Sequence, residues 1–145
     1  VITVKVKDRF GKELQKKLRK FPSATDKALS VATIYGMKTI KDRTAKGVSV
    51  NGTAFMRYSE GYRKWKREYA GKGGAKPNLF LHGSMLGSMT TGIKNGDGRI
   101  YFARKAESKK AMWNDKTRPF FDLNGGERKE IMDEFESEFL RLIDL

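Results

Sequence analysis

The chain has 145 residues, a formal charge of +14 from 31 basic and 17 acidic side chains, and no cysteine. That length suits one domain, residues 1–145, able to bury a core, and the missing cysteines exclude disulfides, thiolate nucleophiles and cysteine-ligated metals. No apolar run approaches the roughly 20 residues that cross a bilayer, so a soluble protein is expected.

Two readings of the positive charge stay open: it attracts polyanions, nucleic acid first, or it only keeps the surface soluble. Residues Gly126 to Leu145 are net acidic, so the excess lies upstream of Pro119 and the molecule is electrically lopsided.

Ile2, Val4 and Val6 alternate with Thr3, Lys5 and Lys7, the period of a strand with one buried face. After Gly11, Leu14 and Leu18 give Lys12–Lys20 the narrow stripe of a short basic helix. Pro22 and Ser23 punctuate, and a longer helix over 23–45 follows. Its apolar residues, Ala28, Leu29, Val31, Ala32, Ile34, Tyr35, Met37 and Ile40, run nearly all round the axis, so it needs cover on more than one side. The sheet can supply one cover; the other is a neighbouring subunit or the short helices.

From about 47 to 78 the chain reads as a long irregular region, of the kind that carries function or orders against a partner. A short helical piece near Ser59–Tyr69 interrupts it. Here Arg57, Tyr58, Tyr62, Arg63, Lys64, Trp65, Lys66, Arg67 and Tyr69 interleave cations with rings. The mixture serves a phosphate backbone with exposed bases and equally serves subunit contacts, where Tyr, Trp and Arg anchor. Gly71–Pro77, with Lys72 and Lys76, is a basic loop tip that lacks the Gly-Lys-Ser/Thr ending of a nucleotide-binding loop.

Gly83–Met89 reads as a helical turn with Met85, Leu86 and Met89 inward. Strands at Thr90–Lys94 and Arg99–Phe102 flank a reversal at Asn95-Gly96-Asp97-Gly98. Helix-forming residues at Lys105–Trp113 lead to the rigid corner Thr117-Arg118-Pro119-Phe120-Phe121. Glu127–Leu145 then sets Ile131, Phe135, Phe139 and Leu142 on one face of a terminal helix that docks on the sheet. The expected fold class is α+β, a small antiparallel sheet packed by a long central helix and a C-terminal amphipathic helix.

No catalytic, cofactor-binding or metal-ligating residue is assigned, and no enzyme is expected. His82 is the one histidine, Ser84 and Ser88 have no base nearby in sequence, and the paired carboxylates Asp133/Glu134 and Glu136/Glu138 read as a solvated helix face. Gly83-Ser84-Met85-Leu86-Gly87 is no nucleophile elbow, because its serine directly follows the first glycine.

One resemblance gathers several of these segments. Arg43-Thr44 with Gly47 and Gly52, then Phe55, Tyr58-Ser59 and Tyr62, a basic loop, and Leu79–Leu81 with Gly83, Met85-Leu86 and Ser88 follow in order. Together with Arg118-Pro119-Phe120-Phe121 and Leu123, this order resembles the tail-completion, or head–tail joining, proteins of tailed bacteriophages over residues 30–140. His82 departs from it, standing where relatives usually have Thr or Ser.

The resemblance implies a small α+β structural protein of the virion neck, assembled in the host cytoplasm into a homo-oligomeric ring, for which a hexamer is one size. Its implied partners are tail-tube or tail-terminator and head-connector proteins, with genomic DNA in the lumen held without sequence preference. On that reading Arg57, Arg63, Lys64, Lys66, Arg67, Lys72 and Lys76 are the candidate DNA-facing cations. Arg43, Phe55, Tyr58, Tyr62, Trp65, Met85, Arg118 and Phe120 are candidate subunit or partner contacts. A free-standing, sequence-independent nucleic-acid-binding module is the alternative.

Overall fold

The structure, a computed structural model, describes residues 1–5, 21–70, 77–79 and 83–143. Among these the chain is α+β, with five helices and a small three-stranded antiparallel sheet. The expected basic helix at Lys12–Lys20, the loop residues Lys72 and Lys76, and His82 lie outside the described residues. Two compact units interleave along the chain: Val1–Lys38, Thr91–Tyr101 and Gly125–Leu145 form one, Thr39–Thr90 and Phe102–Asn124 the other.

In the first unit, strand β1 (Ile2–Val4) buries Ile2 and Val4 and leaves Thr3 half-buried, as the alternation requires. Val6, expected to continue the alternation, lies outside the described residues. Helix α1 (Pro22–Ala45) begins with Pro22, tolerated in a first turn because the N–H it lacks has no partner there. Ala28, Leu29 and Ala32 are buried, while Ile34 remains 48% exposed. Among the described residues the all-round apolar pattern is therefore only partly covered.

Strands β2 (Met89–Lys94) and β3 (Asp97–Phe102) form the hairpin, and the sheet order is β1-β3-β2. Antiparallel pairing sets Ile2 opposite Ile100 and Val4 opposite Gly98. The reversal is tighter than the four residues expected. Asn95 (φ 52°) and Gly96 (φ 78°) both adopt the left-handed conformation of a two-residue hairpin turn, so Asp97 and Gly98 already belong to β3. Gly98 serves packing instead: a β-carbon there would overlap Thr33 Oγ1, whose hydroxyl donates to the Leu29 carbonyl at 2.6 Å.

The terminal helix, α5 (Gly125–Ile143), buries Ile131, Phe135 and Phe139, with the two phenylalanine rings stacked at 5.9 Å. Gly36 of α1 lets Ile131 and Ile100 approach the helix backbone, since an added β-carbon would sit 2.9 Å and 3.3 Å from their Cδ1 atoms. Close helix–helix and helix–sheet contact thus offsets the roughly 1 kcal/mol that a mid-helix glycine costs.

In the second unit, the end of α1 closes in a Schellman motif. Gly47 (φ 72°) donates to the Thr44 carbonyl and Val48 to that of Arg43, which satisfies two of the last carbonyls. Helices α2 (Glu60–Ala70), α3 (Ser84–Gly87) and α4 (Lys105–Thr117) follow.

The Arg-Pro-Phe-Phe corner is pinned from several directions. Asp115 Oδ1 accepts the Phe120 and Phe121 N–H groups, both at 3.0 Å, and Pro119 O accepts from Val50. Arg43 Nη2 donates to the carbonyls of Phe120 (3.3 Å) and Asp122 (2.6 Å). Phe102, Phe120 and Phe121 cluster, with Phe102 4.8 Å from Phe121.

Candidate functional site

Helix α2 starts where Ser59 Oγ accepts the Tyr62 N–H at 3.3 Å, the role of an N-cap. Spacings of three and four residues then line rings along one side. Tyr58 meets Tyr62 edge-on at 4.8 Å, Tyr62 meets Trp65 at 5.7 Å, and Trp65 stacks on Tyr69 at 5.2 Å with planes 12° apart. Tyr62, Trp65 and Tyr69 are 40%, 47% and 58% exposed. Lys64 and Arg67 are exposed on the same helix, and Arg63 is partly so. A single helix therefore presents stacked rings and cations to solvent.

Tyr58, at the helix entrance, organises the neighbouring chain. Lys66 Nζ lies 4.8 Å and Arg118 Cζ 4.5 Å from its ring centre. Its hydroxyl oxygen accepts from Leu79 N–H (3.2 Å) and Lys66 Nζ (3.4 Å), while Lys66 also donates to Asn78 Oδ1 (2.9 Å). Arg118 clamps the preceding strand of chain through the Met56 and Arg57 carbonyls at 2.8 Å and 3.2 Å. Burial raises the Tyr58 pKa. Burial first, and repulsion by Arg118 second, lowers that of Lys66.

A cleft of about 620 Å³ opens beside these groups, lined by Tyr58, Tyr62, Lys66, Arg118 and, from α4, Lys110 and Asn114. Ser59, Leu79, Gly83, Ser84 and Met85 also line it. Lys110 pairs with Glu107 at 3.1 Å, and Asn114 Nδ2 donates to the Lys110 carbonyl at 2.9 Å.

Several sequence assignments change here. Lys66 is 1% exposed, so it cannot meet a DNA backbone as the surface cation expected; its amine turns inward to Tyr58 and Asn78. Phe55, Met85 and Phe120 are buried core of the second unit, not contact surface, because apolar side chains of this size gain most by packing inward. Arg43 and Arg118 hold backbone carbonyls within the chain.

Arg57, Arg63, Lys64 and Arg67 remain accessible, as do Tyr62 and Trp65, whereas Tyr58 is half-buried. Lys110 and Asn114 were missed; Asn114 lies one residue past the expected helix Lys105–Trp113, and the structure carries that helix on to Thr117, which sets the two on one face at i, i+4. Exposed Met112 (63%) and Trp113 (77%) were missed too, Trp113 lying under Lys116 at 5.7 Å.

Among the described residues no helix is long and apolar enough to cross a membrane, and no group of His, Cys, Asp and Glu could hold a metal ion. No family model matches the chain, and no match was found among curated proteins or solved structures.

Proposed function

We propose that this chain is a structural subunit of a tailed-phage virion, a tail-completion or head–tail joining protein that closes into a ring in the neck. The observation that carries the reading is the exposed Tyr62–Trp65–Tyr69 ladder on α2. Covering such rings with a second copy removes apolar surface from water at about 25 cal/mol per Å². Tyr and Trp are also the side chains that dominate protein contacts energetically. Repetition about an axis buries the surface on every copy, and closure stops the contact from running on.

The +14 charge supports a lumen that meets genome DNA through phosphates without base readout. Arg57, Arg63, Lys64 and Arg67 are the accessible cations for that contact. Tail-tube or tail-terminator and head-connector proteins are the neighbours of such a ring.

Native mass measurement of the purified chain, with and without tail-tube protein, tests the proposal. Closed rings that the double variant Trp65→Ala, Tyr69→Ala prevents are the expected result. A chain that stays monomeric in both conditions while binding DNA tightly sinks it. That outcome selects the second reading, a free-standing nucleic-acid-binding module, which the exposed Lys64 and Arg67 on the ladder helix favour.

A further inference from the structure

We propose that the solvent face of α4 docks on a second copy of this chain, and that it seats against the acidic stretch of that copy's α5. Such a contact rests on the ring reading, because two different patches joined head to tail are what a closed ring repeats.

Helix α4 is sorted by charge. Its two carboxylates are engaged within the chain: Glu107 is buried and pairs with Lys110, and Asp115 holds the Phe120 and Phe121 N–H groups. Lys105, Lys109, Met112, Trp113 and Lys116 follow one another at helical spacing, and all of them are exposed. The outward stripe therefore carries cations and apolar side chains and no carboxylate. Trp113, at 77%, is the most exposed large apolar side chain among the described residues, and Met112 beside it is 63% exposed.

An apolar centre flanked by charges has the layout of a protein contact, in which Trp and Met fill the middle and polar groups form the rim. Nucleic acid fits this stripe less well. Met112 gains nothing from phosphates, and Lys116 Nζ lies 5.7 Å from the Trp113 ring centre, over a face on which a base would stack.

Charge complementarity identifies the occupant. On a chain of +14, most of one copy's surface repels a cationic stripe on another. Gly126–Leu145 is net acidic, so α5 offers the opposite sign. There Leu140 is 43% exposed, Asp133 is exposed on the same side of the helix, and Glu136 is partly so. Glu136 precedes Leu140 by four residues, as Lys109 precedes Trp113. With the two helices side by side in the same direction, Trp113 on Leu140 brings Lys109 to Glu136 and Lys105 to Asp133. Opposite charges in register with an apolar anchor set orientation as well as partner. Trp65 and Tyr69 of α2 take no part, so this contact is tested apart from the ladder.

Sedimentation and native mass measurement over a concentration series, with and without tail-tube protein, test the contact in the purified chain. Lys109→Glu and Glu136→Lys should each weaken self-association by about tenfold or more, since each sets like charges face to face. The double variant restores opposite charges in swapped order and should recover most of the loss, the sign of direct coupling. Trp113→Ala should weaken association without any change of charge, and thermal melts confirm that each variant folds.

Losses that add in the double variant, or self-association indifferent to both reversals, overturn the proposal, and rings that still form leave the ring reading standing. Rescue seen in dimers or open chains that never close supports the contact and sinks the ring. Binding of tail-tube protein or duplex DNA that Lys109→Glu weakens, with no self-association, gives the stripe to that partner and overturns the contact between copies. A chain that is monomeric in every condition overturns both.

Discussion

At Gly98 the fold has no room for a β-carbon, because Thr33 Oγ1 occupies that position and is itself tied to the Leu29 carbonyl. Gly98→Ala should lower stability by about 1–3 kcal/mol, the usual cost of overpacking, read as a drop in the denaturant midpoint. Gly87→Ala is the control: nothing lies within 4 Å of its added carbon, and its midpoint should hold or rise slightly.

Lys66 carries a second residue-scale expectation. Its folded pKa is lowered from 10.5 by burial and by Arg118, so the folded chain releases this proton at lower pH than the unfolded chain. Between the folded value and 10.5 the unfolded state binds more protons, and stability rises with pH. Tyr58 acts oppositely and higher, its raised pKa costing stability as pH climbs above 10.0. Denaturation of wild type and Lys66→Met from about pH 8 to the ordinary lysine value of 10.5 should therefore show wild type gaining relative to the variant. A constant difference would mean that Lys66 is not desolvated.

At the scale of elements, two helices rich in aromatic residues behave differently. In α5, Phe135 is fully buried, and Phe135→Ala should cost about 3–5 kcal/mol. In α2, Trp65 and Tyr69 are half exposed, so truncating them should move the monomer's midpoint far less while preventing assembly. Melting and native mass measurements on the same variants separate core from contact surface. A large loss of monomer stability in the α2 variant would place its ladder in the core.

For the whole molecule, charge sets how it meets DNA. Affinity that comes from phosphate contacts falls with salt, with a slope of about 0.9 per phosphate neutralised on duplex DNA. Replacing Lys64 and Arg67 with Gln should reduce that slope by about two units, measured by a salt series of binding isotherms. A slope that does not change would mean that these two cations face protein.

Much of the architecture was legible in the chain because local chemistry dictates it. The two-residue periodicity of Ile2 and Val4, the Asn95-Gly96 turn, the cap at Ser59 and the one-sided stripe of Ile131, Phe135 and Phe139 each follow from neighbours in sequence. The α+β class and the positions of its helices came from those signals. Burial was not legible in the same way, since a cation's direction depends on partners distant in sequence. Lys66 reads as one more surface charge until Tyr58 and Asn78 are placed around it, and Arg118 until the carbonyls of Met56 and Arg57 reach it across 62 and 61 residues. The cleft's pairing of Lys66 with Lys110 and Arg118 is likewise a product of tertiary packing alone, because hydrogen bonds and desolvation act through space and leave no trace in residue order.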